Sequence, residues 1–224
     1  MKILRLHPWR VTPAEAQRLQ LALRGRLERD DRLPPLRRIA GADVALDTAR
    51  RRAIAGVIVY SFPELRELER ASARRPLEFP YVPGLLTFRE GPALLAAFEK
   101  LRHAPDVIFC DAQGYAHPRR FGLACHLGVL LDRPAIGCAK SRLIGEHRQP
   151  ARAAGSWTPL TDAGETVGAV LRTRAGVKPI YVSAGHRVSL ERAIALVLAV
   201  CDGYRIPRPT READHFVEAL KRRG

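Results

Sequence analysis

Long apolar runs are missing from this chain: none reaches about 18 residues, so no transmembrane helix is expected. The opening residues, MKILRLHPWR, carry neither an extended apolar core nor a small-residue cleavage site, and so do not read as a secretory leader. No GxGxxG occurs, and no GxxxxGK followed by Ser or Thr, which argues against dehydrogenase and ATPase chemistry. Ser183-Ala184-Gly185-His186 superficially invites a hydrolase reading, but there is no nucleophile elbow and no Ser-His-Asp order. Cysteine is sparse. Cys110, Cys125, Cys138 and Cys201 each sit in an apolar run, with no CxxC and no zinc spacing, so buried reduced thiols in a cytoplasmic protein are expected. His117, His126, His186 and His215 form no metal-spaced cluster either.

Acidic residues are also in short supply. Lys and Arg number 38 against 23 Asp and Glu, giving a net charge of +15. Solubility needs far less, so the balance points to a polyanionic partner, most readily nucleic acid. A lineage that simply favours Arg is the competing explanation. A membrane surface is disfavoured because no helix combines a basic face with exposed aromatics. With 46% hydrophobic and 27% charged residues, a chain of 224 residues has the make-up of an ordinary globular protein, and one domain is the better expectation.

Thr12-Pro13-Ala14-Glu15 has the form of a capping box with Pro at the first helical position. With Leu19, Leu23 and Leu27 at helical spacing it predicts an amphipathic helix over residues 12–30. Alternation over 39–47 and an apolar run over 53–62 predict a hairpin turning at Arg51-Arg52. Residues 63–73 fit a charged helix or a third strand. Residues 79–90, FPYVPGLLTFRE, read as a rigid Pro-bounded loop, with a helix starting at Gly91-Pro92 and running to about His103. A short strand over 106–110 ends at Asp111, and a helix follows over 121–131. Another strand covers 134–139, and 145–163 reads as loop. Strands at 166–172 and 179–183 form a hairpin around Gly176. Helices then open at Ser189, ending at Gly203, and at Pro209-Thr210, ending near Arg222. This order predicts mixed α/β around one sheet.

The stretch 107–126, VIFCDAQGYAHPRRFGLACH, organises the chemistry: a buried strand, a carboxylate at its end, a loop and a helix. Asp111 there is either a turn cap or a functional acid. Asp43 lies on the polar side of an otherwise apolar strand, and Glu90 follows the Pro-rich loop. Three carboxylates from separate elements in an Arg-rich chain point to a hard-cation site, the kind phosphodiester hydrolysis uses. Each also has an ordinary structural reading: Asp43 paired with an Arg, Glu90 near a helix start, Asp111 capping. Asp47 shares the face of Asp43 but lies roughly 13 Å along the strand, too far to share one ion. Lys140 ends a second strand and, if that strand neighbours the first, reaches the same sheet edge; otherwise it is a surface Lys. Pro80-Tyr81-Val82-Pro83 is a stiff tip that could enter a base stack, or a structural turn with a packed Tyr.

PYVPGLLTFREGP (80–92), DAQGYAHPRRFGLACHLG (111–128), AKSRLIG (139–145), PIYVSAGHRVSL (179–190) and RPTREAD (208–214) together resemble the endonuclease V family of deoxyinosine-directed nucleases, in order along nearly the whole chain. The resemblance implies a single α/β domain over residues 1–224, with an RNase H-like mixed central sheet flanked by helices. It implies a Mg²⁺-dependent endonuclease, with Mn²⁺ as a substitute, acting in DNA repair. Such an enzyme recognises inosine and hydrolyses the second phosphodiester on its 3′ side, leaving 3′-hydroxyl and 5′-phosphate ends. Position by position, Asp43, Glu90 and Asp111 match the metal carboxylates and Lys140 the catalytic lysine. Pro80, Tyr81, Val82 and Pro83 match a strand-separating wedge. Gly84, Leu86, Ala112, Gly114 and Gly122 match the pocket for the flipped base, His117 a lesion-side or phosphate contact, and Arg89 and Arg119 further nucleic-acid contacts. Asp214 matches a position held by an acid or a His near the metal, and the adjacent His215 leaves the assignment between them open. The implied partner is inosine-containing DNA, single- or double-stranded, with RNA a further candidate, and the implied state is a cytoplasmic monomer. Three residues depart from the family pattern: Ala112 replaces a usual Gly, Ala45 a small hydroxyl residue, and Ala184 a usual Pro. The alternatives are a related nuclease with other structural preferences and a basic nucleic-acid-binding module with a degenerate metal site.

Overall fold

Eight strands form one mixed sheet in the order β3-β2-β1-β4-β5-β8-β7-β6. The computed structural model describes residues 1–223. β1 (Arg38–Asp47), β2 (Arg52–Ser61) and β3 (Glu67–Pro76) make an antiparallel meander. β4 (Val107–Cys110) and β5 (Ala135–Ala139) run parallel to β1, while β6 (Trp157–Asp162), β7 (Glu165–Leu171) and β8 (Ile180–His186) complete the other wing antiparallel. α2 (Leu86–Phe98) and α3 (Leu123–Leu131) cover one face, and α4 (Leu190–Ala199) and α5 (Arg208–Arg222) the other. α1 (Pro13–Arg24) packs beside Phe79, Leu85, Phe88 and Phe121.

The central strands are buried on both faces, so they read as continuous apolar runs while their side chains still alternate. Ile108 and Cys110 join the core beneath α2 and α3; Val107 and Phe109 join the core beneath α4 and α5. The same parity places Asp111 on the α5 side. On β1, Ile39 and Gly41 face α5, and Asp43 follows on that face. The parallel register pairs Ala42 with Cys110, so Asp43, midway along β1, lies beside Asp111, the residue just past the end of β4. Gly41 permits close approach: a β-carbon there would stand 1.9 Å from the Pro209 carbonyl oxygen. The first turn of α5 therefore rests directly on the β1 backbone.

Several predicted elements shift. The Thr12 capping box forms as expected, but α1 stops at Arg24 because Gly25 takes its C-cap and Arg26 and Leu27 close 3₁₀-type turns. α2 starts five residues before the Gly91-Pro92 signal and carries Pro92 inside, while Trp9 packs where a Gly91 side chain would stand. Residues 63–73 resolve toward a strand: β3 lies at the sheet edge, where its charged residues face outward. The predicted loop 145–163 contains β6, an edge strand that tolerates Pro159, turning into β7 through Ala163 and Gly164 in left-handed conformations. α4 ends at Ala199, four residues short of Gly203.

Candidate active site

Asp43, Asp111 and Asp214 each offer a carboxylate oxygen within 4.8 Å of the others. β1, β4 and α5 supply one each. The Val44 amide donates to Asp43 Oδ1 at 2.8 Å and orients that carboxylate. Lys140, just past the end of β5, places Nζ 2.5 Å from Asp111 Oδ2 and 3.1 Å from Asp214 Oδ2. Arg205 donates to the Lys140 carbonyl at 3.0 Å, pinning the backbone that carries this ammonium.

The site is overloaded with negative charge. Burial and the neighbouring Asp111 push the Asp43 carboxyl up to about 8. Burial, with Asp43 close by, lifts Glu90 on α2 to about 8 as well. Burial raises Asp111, although Lys140 opposes the rise. Desolvation pulls the Lys140 ammonium down, but Asp111 and Asp214 outweigh it and hold its pKa above the usual lysine value. One ammonium facing four crowded carboxyls leaves a deficit that a hard divalent cation fits: all the donors are oxygens, and they converge from rigid elements. Glu90 stands outside the 4.8 Å triangle of carboxylates but is electrostatically coupled to Asp43 and Asp111. Asp214, not its neighbour, points inward. His215 is 67% exposed and 3.9 Å from Glu212, away from the triangle. Asp47 caps the β1–β2 turn through the Arg50 amide at 3.0 Å and takes no part.

Beside Asp111 and Lys140 opens a cavity of about 360 Å³. Tyr81, Val82, Pro83, Gly84, Leu86, Ala112, Gln113, His117 and Gly122 line it, with Ser141, Arg142 and Leu143 opposite. Tyr81 is 70% exposed at the tip of its loop, so it is no packed turn residue. Ala112 is nearly buried, its methyl joining the core beneath α2 and α3. Gly114 does not line the cavity. Its amide donates to Ser183 Oγ at 2.8 Å, and a β-carbon would meet the Ala184 carbonyl at 2.3 Å, so its demand is close packing against β8. Pro80 and Arg89 line a separate cleft across the loop.

Gly84 anchors the cavity wall in a left-handed conformation, φ 78°. Its carbonyl accepts three hydrogen bonds: from His117 Nε2 at 2.8 Å, Arg119 Nη2 at 2.8 Å and Gln20 Nε2 at 3.0 Å. His117 accepts the Arg119 amide at Nδ1, which sets the neutral Nε2-protonated tautomer. Burial lowers the pKa of this ring to about 4, so it stays neutral at physiological pH. His117 and Arg119 thus brace Gly84. Gln20, which also donates to the Phe121 carbonyl and accepts from Arg119 Nε, was not singled out by the sequence. The available signal was a polar residue on the buried stripe of α1, in phase with Ala16 and Leu23. Gln113 belongs to the loop after Asp111, which the sequence already placed at the pocket; its amide donates to the Ser141 carbonyl at 2.9 Å, joining two residues that line the cavity.

A mixed sheet in which one central strand carries a carboxylate midway and its parallel neighbour is followed by another, with a cationic side chain just past the next strand, defines an RNase H-like α/β protein of the nuclease class. The sequence model of endonuclease V matches residues 21–215. The endonuclease V of Roseiflexus sp. strain RS-1 is 53% identical over 207 residues, covering 92% of each chain. That of Nostoc punctiforme is 49% identical over 220 residues, covering 98% of this chain and all of the other. The crystal structure of Streptomyces avermitilis endonuclease V superposes with TM-score 0.92 at 44% identity, covering 100% of this chain and 99% of that one. Ciona intestinalis endonuclease V, in complex with a 24mer DNA containing an inosine followed by a ribo-adenosine, gives TM-score 0.81 at 29% identity, covering 94% and 98%. The chain belongs to the endonuclease V family.

Proposed function

We propose that this protein recognises inosine in a nucleic-acid strand and hydrolyses the second phosphodiester on the 3′ side, leaving 3′-hydroxyl and 5′-phosphate ends, as a step in DNA repair. The observation that carries this is the Asp43–Asp111–Asp214 triangle, closed by Lys140, opening onto a cavity roomy enough for one base. The Ciona relative bound to inosine-containing DNA supports the choice of lesion. DNA is the preferred partner in this reading and RNA the second, handled by a cytoplasmic monomer. Free cysteines, three of them buried, suit that reducing compartment, and no helix among the described residues is long and apolar enough to cross a membrane.

Asp43, Asp111 and Asp214 would hold Mg²⁺, or Mn²⁺ in its place, with Glu90 adding negative charge behind Asp43. The bound cation supplies neutralisation of the scissile phosphate and acidifies water at neutral pH. The chain's residues do the rest. Tyr81, carried between Pro80 and Pro83, enters the base stack where the lesion leaves it. Gly84, Ala112, Gln113 and Gly122 wall the pocket that receives the base; His117, Arg119 and Gln20 keep that wall rigid. Lys140 Nζ stands at the carboxylates, where it counters charge developing on the departing oxygen. Without a cation Asp43 and Glu90 retain protons near neutrality, so cation uptake releases protons.

The test is cleavage of an end-labelled inosine oligonucleotide, as DNA and as RNA, in Mg²⁺, in Mn²⁺ and in chelator. Asp111→Ala is the comparison, and ligation of the products reports the 5′-phosphate. Wild type should cut one bond beyond the neighbouring linkage in either cation and not in chelator. Equal cutting by Asp111→Ala, or cutting in chelator, refutes the assignment.

A further inference from the structure

The loop that carries Tyr81 separates two clefts that share no lining residue. Tyr81 to Gly84 face the cavity beside Asp111; Phe79 and Pro80 face a second cleft of about 450 Å³. The floor of the second cleft is aromatic, with half-buried Trp9 set edge-on to Phe88 at 5.9 Å. Its rim is cationic: Arg10 and Arg75 are exposed, and Arg89 stands at its inner end. Among the described residues the only acid lining it is Glu78, which Arg10 already engages at 3.0 Å. Arg89 ties the two sides together, because its Nη1 donates to the Phe79 carbonyl at 2.7 Å at the root of the loop. An adjoining hollow carries Arg51 from the β1–β2 turn and extends the positive surface past Pro80.

We propose that this second cleft receives the undamaged strand of a duplex once the Tyr81 loop has parted the two strands. The inference rests on the proposed endonuclease reading and adds to it a second strand-binding surface. Three observations favour this occupant. The cleft begins at the root of the element that would separate the strands, and none of Asp43, Glu90, Asp111 and Asp214 lines it. Its excess of guanidinium groups complements phosphate oxygens, which Arg binds bidentately. Its floor offers Trp9 and Pro80 as apolar surface for bases that have lost their partners, and aromatic faces accept any base. The lesion strand is already provided for by the cavity at Asp111 and Lys140.

The experiment compares duplex and single-stranded forms of one inosine oligonucleotide, using wild type and the double variant Arg10→Ala/Arg75→Ala. Both side chains are exposed, so the fold should persist; a thermal melt checks it. Cleavage efficiency on the duplex should fall at least about tenfold near 0.1 M salt, while the single strand is cut as by wild type. The slope of log affinity against log salt should drop by about two for the duplex only. Fluorescence anisotropy of the same oligonucleotides in chelator reads the cleft independently of cutting. An equal loss on both substrates would assign the cleft to the lesion strand and overturn the proposal, as would no loss on either. Failure of wild type to cut the single strand would count against the endonuclease reading, whereas the duplex-to-single-strand ratio in the anisotropy measurement would still decide the cleft.

Discussion

Replacing Gly41 with Ala probes how the fold holds the carboxylates together. A methyl at that position would meet the Pro209 carbonyl oxygen at 1.9 Å and the Pro209 carbonyl carbon at 2.2 Å. Both are backbone atoms, so no rotamer change relieves the contact. Restoring ordinary van der Waals separation requires α5 to withdraw from β1 by roughly 1 Å or more. Asp214 lies on α5 and moves with it; Asp43, two residues along β1 from Gly41, does not. The oxygens now within 4.8 Å of one another therefore spread apart. Overpacking of this kind costs about 1–3 kcal/mol of stability, and a displacement near 1 Å at a catalytic group costs on the order of 10²-fold in rate. Gly56→Ala is the control. It also faces α5, but its new methyl would meet the side chains of Val217 and Phe216, which can shift. Thermal melts and single-turnover cleavage of an inosine oligonucleotide, titrated with Mg²⁺, read both variants. Gly41→Ala should remain folded, need more Mg²⁺ and cut about 10²-fold more slowly. Gly56→Ala should lose stability and keep most of its rate. Wild-type rate and Mg²⁺ response in a folded Gly41→Ala would refute the argument that β1–α5 contact sets the site.

The neighbours on α5 should separate cleanly: Asp214→Asn should raise the cation concentration needed for cleavage at least about tenfold, while His215→Ala stays near wild type; similar losses in both would contradict the inward aim of Asp214. Stability of the cation-free protein should depend on pH through Asp43 and Glu90, whose folded-state values are raised to about 8. Their contribution is fully present below the ordinary carboxyl range near about 4 and is lost as pH rises through about 8. Asp43→Asn should therefore melt above wild type at pH 9 by more than at pH 6, and millimolar Mg²⁺ should narrow the gap by stabilising wild type alone; a gap independent of pH would count against the coupling. Gln20→Leu removes donors to the Gly84 and Phe121 carbonyls and strands Arg119 Nε, at a cost of about 1–3 kcal/mol. Its Tm should fall and its KM for the inosine substrate should rise more than its kcat falls, a split that simple loss of fold would not produce.

Much of the chemistry was legible in strand parity. A side-chain period of two is local, so Asp43 after Gly41, Asp111 after Phe109, and Lys140 after Cys138 could each be assigned to one face without knowing the fold. The Thr12–Glu15 capping box was legible for the same reason: its partners lie within one helical turn. Family motifs then named the residues that distant elements must bring together. Other features were decided only by packing. Whether Asp214 or His215 faces the carboxylates depends on the rotation of α5, which Gly41 and Gly56 set by admitting that helix onto the β1 and β2 backbone. The start of α2 ahead of Pro92 and the strand character of β6 depend on tertiary partners that outweigh local punctuation. The brace on Gly84 needs Gln20, His117 and Arg119 from segments up to 99 residues apart, a convergence with no local signature. Short-range periodicity and capping belong to the sequence by itself; the carboxylate triangle, the braced pocket and the two clefts divided by the Tyr81 loop belong to the folded chain, because each is a meeting of elements whose separation along the chain carries no record of their contact.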